Sequence, residues 1–224
     1  MIKVNPPYKL RGLELFSGSQ TLRRSFEARS HSVISLDNTN YRNSAPDTIL
    51  CDFLHFDYKL YPAHYFDWIW IGLPCDAFSK ASGGFHFGPD HSEKTDFARL
   101  SVDMMKKSIQ LTKYFHNSIF FFENPAGGLV NHPIMKDFIL KNSLQVVRIH
   151  LGQYGFKTAK QTDIITNSSL LWVDNRMYRK NGRYQKYSFD NLSDHQRHTY
   201  PEMFCNKIVE FTEKSFLHHQ LKSI

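Results

Sequence analysis

Four short stretches of this 224-residue chain hold residue types that could do chemistry. The first to weigh is Gly72-Leu73-Pro74-Cys75-Asp76-Ala77-Phe78-Ser79. A lone cysteine is usually a small buried hydrophobe. Cys75, however, follows the rigid Pro74 and opens a Ser/Gly-rich loop, Ser79 to Gly88, that could fold over a substrate. An exposed thiol near backbone amides tends to be acidified and nucleophilic. Cys51 and Cys205 lack that setting and read as structural. In Glu123-Asn124-Pro125-Ala126-Gly127-Gly128, the carboxylate follows four apolar residues at a mostly buried position. Desolvation there should raise its pKa and let it carry a proton to a substrate. The alternative is a hydrogen-bonding carboxylate that only shapes the Pro-Gly turn.

The other two stretches suit ligand binding. Phe16-Ser17-Gly18-Ser19 is a small-residue turn ahead of a predicted helix, where backbone amides can approach a ligand closely. Asp37 follows Gly18 by 19 residues, close to the offset of about 20 at which a carboxylate holds ribose hydroxyls in nucleoside-binding sheets. Gln153 to Asp163, with Lys157 and Lys160, is a basic turn that could contact phosphate or a base edge, or be a plain surface turn.

These residues sit where short apolar runs stop. Leu13–Phe16, Val33–Leu36, Thr48–Cys51, Trp68–Ile71 and Ile119–Phe122 read as strands buried on both faces, as in a parallel sheet covered by helices. Gln145–His150 and Asp163–Thr166 complete the set. Helices are predicted over Thr21–Arg29, Ser92–Phe115 and His132–Lys141, with a last one beginning near Pro201. In the longest, Phe97, Leu100, Met104, Leu111 and Phe115 share one face. The expected architecture is one Rossmann-like, mostly parallel, doubly wound α/β domain, with a polar excursion rich in Arg, Lys, Asn and Tyr over Asn167–His198. Ligands of such sheets bind beyond the carboxyl ends of the strands, where all four stretches fall.

Composition narrows the field. With 41% hydrophobic residues, 19 Phe and 11 Tyr, the chain has ample surface to bury, which excludes a disordered or fibrous protein. No apolar run is long enough for a bilayer span, and Met1-Ile2-Lys3-Val4-Asn5 is not the apolar core of a signal peptide, so a cytoplasmic protein without a membrane partner is expected. Three cysteines without a CxxC spacing support neither a disulfide framework nor a zinc site. The pairs His195/His198 and His218/His219 lack partners at a metal spacing, so no metal is expected. A formal charge of +7 suits an anionic partner such as nucleic acid, although many basic proteins have none.

Taken in order, Leu15-Phe16-Ser17-Gly18, Asp37, Pro74-Cys75 with Phe78-Ser79, Glu123-Asn124-Pro125 and Tyr154-Gly155 resemble the cytosine-5 DNA methyltransferases. The resemblance spans about residues 11–166 and faintly Arg197–Ile208, and is nearest to small phage- and virus-encoded members. It implies a fold that binds S-adenosylmethionine, with Cys75 as nucleophile, Glu123 at ring nitrogen 3 of the cytosine, and Lys160 as the surviving charge of a catalytic turn. It further implies that Phe16, Ser17, Gly18 and Pro74 line the cofactor site, that Asp37 holds the ribose, and that Asp52 reads the adenine amino group. The partner would be DNA with its target base flipped out of the duplex, in the interior of a bacterium or an infected cell. On this reading residues 1–166 form the catalytic domain, 167–196 a rudimentary target recognition region, and 197–224 a helix returning to the catalytic domain.

The departures from the family are specific. Its Gln-x-Arg-x-Arg turn reads Thr158, Lys160 and Thr162 here, and the bidentate geometry of arginine is lost. Asp76 stands where Gln is common after the nucleophile, and Gln20 where Gly is frequent. The short interval between Asn167 and Arg197 leaves no room for a large target recognition domain, though it holds Arg176, Tyr178, Arg179, Lys180, Arg183, Tyr184, Lys186 and Tyr187, a mixture suited to phosphate contact and stacking. Two other readings therefore stand beside the first. One is a weak or inactive methyltransferase-fold protein that binds nucleic acid or a host protein; the other is methylation of RNA or of a pyrimidine nucleotide.

Overall fold

A computed structural model of the chain describes residues 8–41, 44–79, 82–172, 192–193, 196 and 199–222. Seven strands form one sheet: β1 (Arg11–Leu15), β2 (Ser32–Asp37), β3 (Ile49–Leu50), β4 (Trp68–Gly72), β5 (Ile119–Pro125), β6 (Gln145–His150) and β7 (Gln161–Thr166). Their spatial order is β3-β2-β1-β4-β5-β7-β6. The first five are parallel, and β7 lies antiparallel between β5 and β6. From β1 the chain steps outward to β2 and β3, then crosses back to start β4 on the other side of β1. The carboxyl ends of β1 and β4 thus diverge at a topological switch point, where such sheets leave a crevice.

The helices are α1 (Thr21–Glu27), α2 (Asp96–Tyr114), α3 (Gly128–Asn131), α4 (Pro133–Lys141) and α5 (Glu202–Lys222). One sheet face packs Met104, Met105 and Leu111 of α2 and Phe138 of α4 against Ile69, Ile71, Phe120 and Phe122. The opposite face packs Leu22 and Phe26 of α1 and Phe204, Ile208 and Phe211 of α5 against Trp68, Trp70 and Phe121. Both faces of β1, β4 and β5 are covered, as their continuous apolar runs require. The C-terminal helix docks on the N-terminal edge: His31 is fully buried and bridges Leu10 N and the Glu213 carboxylate, which Arg29 also reaches at 2.6 Å.

Sequence and structure differ at several boundaries. The third strand shrinks from Thr48–Cys51 to Ile49–Leu50. The long helix starts at Asp96 rather than Ser92, because Thr95 caps it by accepting from Ala98 N. Its apolar face also divides: Met104, Leu111 and Phe115 are core, whereas Leu100 is 43% exposed and lines the crevice with Phe97. The basic and aromatic residues of the excursion, Arg176 to Tyr187, and the histidines His195 and His198 lie outside the described residues. Among the described residues no helix is long and apolar enough to cross a membrane, and no group of three or more His, Cys, Asp or Glu is placed to hold a metal ion.

Candidate active site

The crevice at the switch point is a cavity of about 320 Å³, within the size range of small-ligand sites. Phe16, Ser17, Gly18, Asp37, Asp52, Pro74, Cys75, Glu123 and Lys160 all line it. Nine residues singled out at six separate places in the sequence therefore share one space.

Its cofactor-like end is built on a tight turn. After β1 the backbone is left-handed at Phe16, Gly18 and Gln20, with φ of 57°, 47° and 54°. Such conformations are costly for residues other than glycine and persist where surrounding contacts hold them. Gln20 is held by its own side chain, which accepts from Ala45 N at 2.9 Å and donates to Thr48 Oγ1 at 2.8 Å. That accounts for a glutamine at this position. Asp37 Oδ2 accepts from Gly18 N at 2.8 Å and Oδ1 accepts from Thr39 N at 3.0 Å. Each carboxylate oxygen keeps a second lone pair for a diol. The Phe16 ring, 4.9 Å from that of Phe53, forms an apolar wall with Leu100 and Met104. A buried carboxylate beside an apolar slot fits the ribose and adenine of a nucleoside cofactor.

Asp52 lines the cavity and has a local task as well. It is exposed, and its Oδ1 caps the turn Phe53–His55 by accepting from Leu54 N at 2.9 Å. Cys51, read as structural from sequence, also lines the cavity, with its thiol donating to Asp52 O. Cys205 is fully buried in the core.

The reactive end brings three chain segments together. Asn124 Nδ2 donates to Leu73 O at 3.1 Å, which ties the end of β5 to the turn carrying Pro74 and Cys75. Gly128 lies against that turn, and a Cβ there would fall 1.8 Å from the Phe78 carbonyl oxygen. Asp163 of β7 is buried; it accepts from Gly127 N at 3.2 Å and from both Arg148 Nε and Nη2. This brace holds the Glu-Asn-Pro-Ala-Gly segment. The preceding turn inserts Tyr154 into the core against Phe204 and leaves Lys160 half-buried at the cavity.

The thiol differs from the sequence expectation. Burial, and next the Asp76 carboxylate, push Cys75 up to about 11, with Glu123 adding to the rise and only Lys160 opposing it. The thiol donates to Asp76 Oδ1 at 3.7 Å. The expected acidification by backbone amides is therefore reversed, because a partly buried sulfur beside a carboxylate is penalised as an anion. Glu123 is 6% exposed, and its Oε2 accepts from the Tyr200 hydroxyl at 2.6 Å. Tyr200 also lines the cavity and did not figure in the sequence reading; a Tyr-Pro pair just before a helix carries no signal of what the ring will touch.

Sheet order, helices and crevice together define the Rossmann-like α/β fold of S-adenosylmethionine-dependent methyltransferases. Two solved structures carry that likeness. The Entamoeba histolytica methyltransferase EhMeth is similar with a TM-score of 0.50 and 15% identity, over 71% of this chain and 52% of that one. A DNMT2 variant from Spodoptera frugiperda is similar with a TM-score of 0.50 and 16% identity, over 76% of this chain and 54% of that one. The chain thus matches about half the length of each. No protein-family model and no curated protein matches it.

Proposed function

We propose that the protein transfers a methyl group from S-adenosylmethionine to carbon-5 of cytosine in DNA, through a transient bond between Cys75 and carbon-6 of the ring. The observation that carries this reading is the convergence of Cys75 and Glu123 on one cavity whose other end presents Gly18 and Asp37. Within the family it resembles, the chain would be a small phage- or virus-type member without a large target recognition domain.

Each residue has a task that its position suits. Phe16, Ser17, Gly18, Asp37, Asp52 and Pro74 would hold the cofactor, which supplies an electrophilic methyl group when bound. Carbon-5 of cytosine is a poor nucleophile by itself. Attack by the Cys75 sulfur on carbon-6 saturates that bond and gives carbon-5 enamine character, while a proton held by Glu123 at ring nitrogen 3 neutralises the developing charge. Once carbon-5 is methylated, transfer of its proton to a water molecule lets the thiolate leave and restores the ring. Lys160 eases formation of the thiolate, since its charge is the one that lowers the thiol pKa. The target base must leave the duplex to reach a sulfur at this depth, at a cost of a few kcal/mol. The loop from Ser79 to Gly88, which follows the thiol in sequence, would close over the base.

The test is methyl transfer from labelled cofactor to duplex DNA, single-stranded DNA, tRNA and dCMP in parallel, with a 5-fluorocytosine oligonucleotide to trap the covalent adduct. DNA labelling that vanishes in Cys75→Ser, with the adduct mapped to Cys75, is expected. Cofactor binding without transfer to any of these substrates would overturn the reading, and labelling of tRNA or dCMP alone would move it to those substrates.

A further inference from the structure

Glu123 does not stand alone at the end of β5. Its Oε2 accepts from the hydroxyl of Tyr200, a residue 77 positions away that stands two positions before the C-terminal helix. The contact is built from several sides. The Tyr200 ring meets Trp70 edge-on at 5.6 Å and lies 5.7 Å from Phe204. Beneath the phenol oxygen is Gly72, where a Cβ would come within 3.1 Å of it. Pro201 O accepts the first amides of α5, from Phe204 and Cys205, so the helix start fixes the backbone that carries the ring.

We infer that Tyr200 is a positioning residue for Glu123: its hydroxyl occupies Oε2 and so directs the transferable proton to Oε1. This rests on the reaction proposed above. A carboxyl group can carry its proton on either oxygen and can rotate. A donor fixed at one oxygen removes both freedoms, so the proton sits on the other. Tyr200 is suited to be a permanent donor. Burial first, then the nearby Glu123 charge and the hydrogen bond to it, hold its own ionisation well above the usual tyrosine range. It therefore neither competes for the proton nor acts as a base.

The test is Tyr200→Phe, which keeps the ring contacts with Trp70 and Phe204 and deletes only the oxygen. Loss of a hydrogen bond to a charged group typically costs about 10–100-fold, so kcat is expected to fall by that much with the cofactor KM unchanged. A hydrogen bond donated to a carboxylate favours its ionised form. Without it, the high-pH limb of the kcat profile should move to higher pH, which a merely structural role for Tyr200 would not cause. Fluorotyrosine in place of Tyr200, a stronger donor, should move the limb the other way. The Glu123 carboxyl titration, read by difference infrared spectra against Glu123→Gln, should shift in the same directions. An active wild type with kcat and limb unchanged in Tyr200→Phe overturns the inference. If the wild type methylates nothing, the reaction reading fails instead, and the infrared titration still decides the coupling: unchanged by Tyr200→Phe, it sinks that too.

Discussion

The Asp37 carboxylate at the end of β2 accepts the amide of Gly18 at 2.8 Å, which joins the turn after β1 to the neighbouring strand. One residue thus supports the turn proposed to hold the cofactor and offers its remaining lone pairs to the cavity. In Asp37→Ala both contributions go. Hydrogen bonds to a charged group contribute about 1.5–3 kcal/mol, so titration calorimetry should show S-adenosylhomocysteine binding weakened by about 10–100-fold. An unchanged dissociation constant would place the cofactor elsewhere.

The thiol itself can be followed without turnover. With Cys75 pushed up to about 11, its alkylation by iodoacetamide should be slow at neutral pH and quicken about tenfold per pH unit until that value is approached, since only the thiolate reacts. Asp76→Asn removes the second-largest cause of the rise and should speed alkylation at pH 8 several-fold. Lys160→Ala should slow it. Mass spectrometry of the Cys75 peptide distinguishes these rates from those of Cys51.

A second buried acid sets the pH dependence of stability. Glu14 of β1 is 1% exposed, and its Oε2 accepts from Ser35 Oγ at 3.0 Å. Burial raises it to about 8 from an unfolded value of 4.5, outweighing the lowering by Ser35 and Arg23. The folded state therefore binds the extra proton between those values, and stability falls as pH rises through that window. Below it there is no cost; above pH 8 the full cost, on the order of 5 kcal/mol as an upper bound, applies. Glu14→Gln should flatten the decline in Tm between pH 5 and pH 8 and melt higher than wild type at pH 8. A parallel decline in both proteins would assign the slope to other groups.

Gly128 couples the segment after Glu123 to the turn that carries Cys75 by contact. Its missing side chain lets the segment after Glu123 lie against the Phe78 carbonyl, which a Cβ would meet at 1.8 Å. Gly128→Ala should cost about 1–3 kcal/mol, as overpacking does, seen as a lower midpoint in denaturant. Trapping of 5-fluorocytosine by Cys75 should slow in the same variant, because the displaced backbone is the one that follows the thiol.

Much of the scaffold was legible in the residues. Continuous apolar runs such as Trp68–Ile71 and Ile119–Phe122 announced doubly covered strands, since a parallel sheet with helices on both sides buries both faces of its strands. The strand ends were legible because small or charged residues follow them abruptly. Less legible was what surrounds a side chain in space. Leu100 has a helical spacing fit for the core, yet it lies in the first turns of α2 and lines the crevice. Asp52 lines the cavity, but nothing in the run before it signals that its Oδ1 also caps the turn Phe53–His55.

By itself, the order of residues along the chain determined which chemical groups exist and at which strand ends they stand, because hydrophobic periodicity and turn chemistry are local properties. Only the tertiary structure decided their state. It set Asp76 and burial against ionisation of the thiol, and it brought Tyr200 from beyond the sheet onto Glu123. Solvation and through-space charge depend on neighbours in three dimensions, and the sequence separation of 77 residues between that phenol and its carboxylate encodes nothing about their 2.6 Å contact.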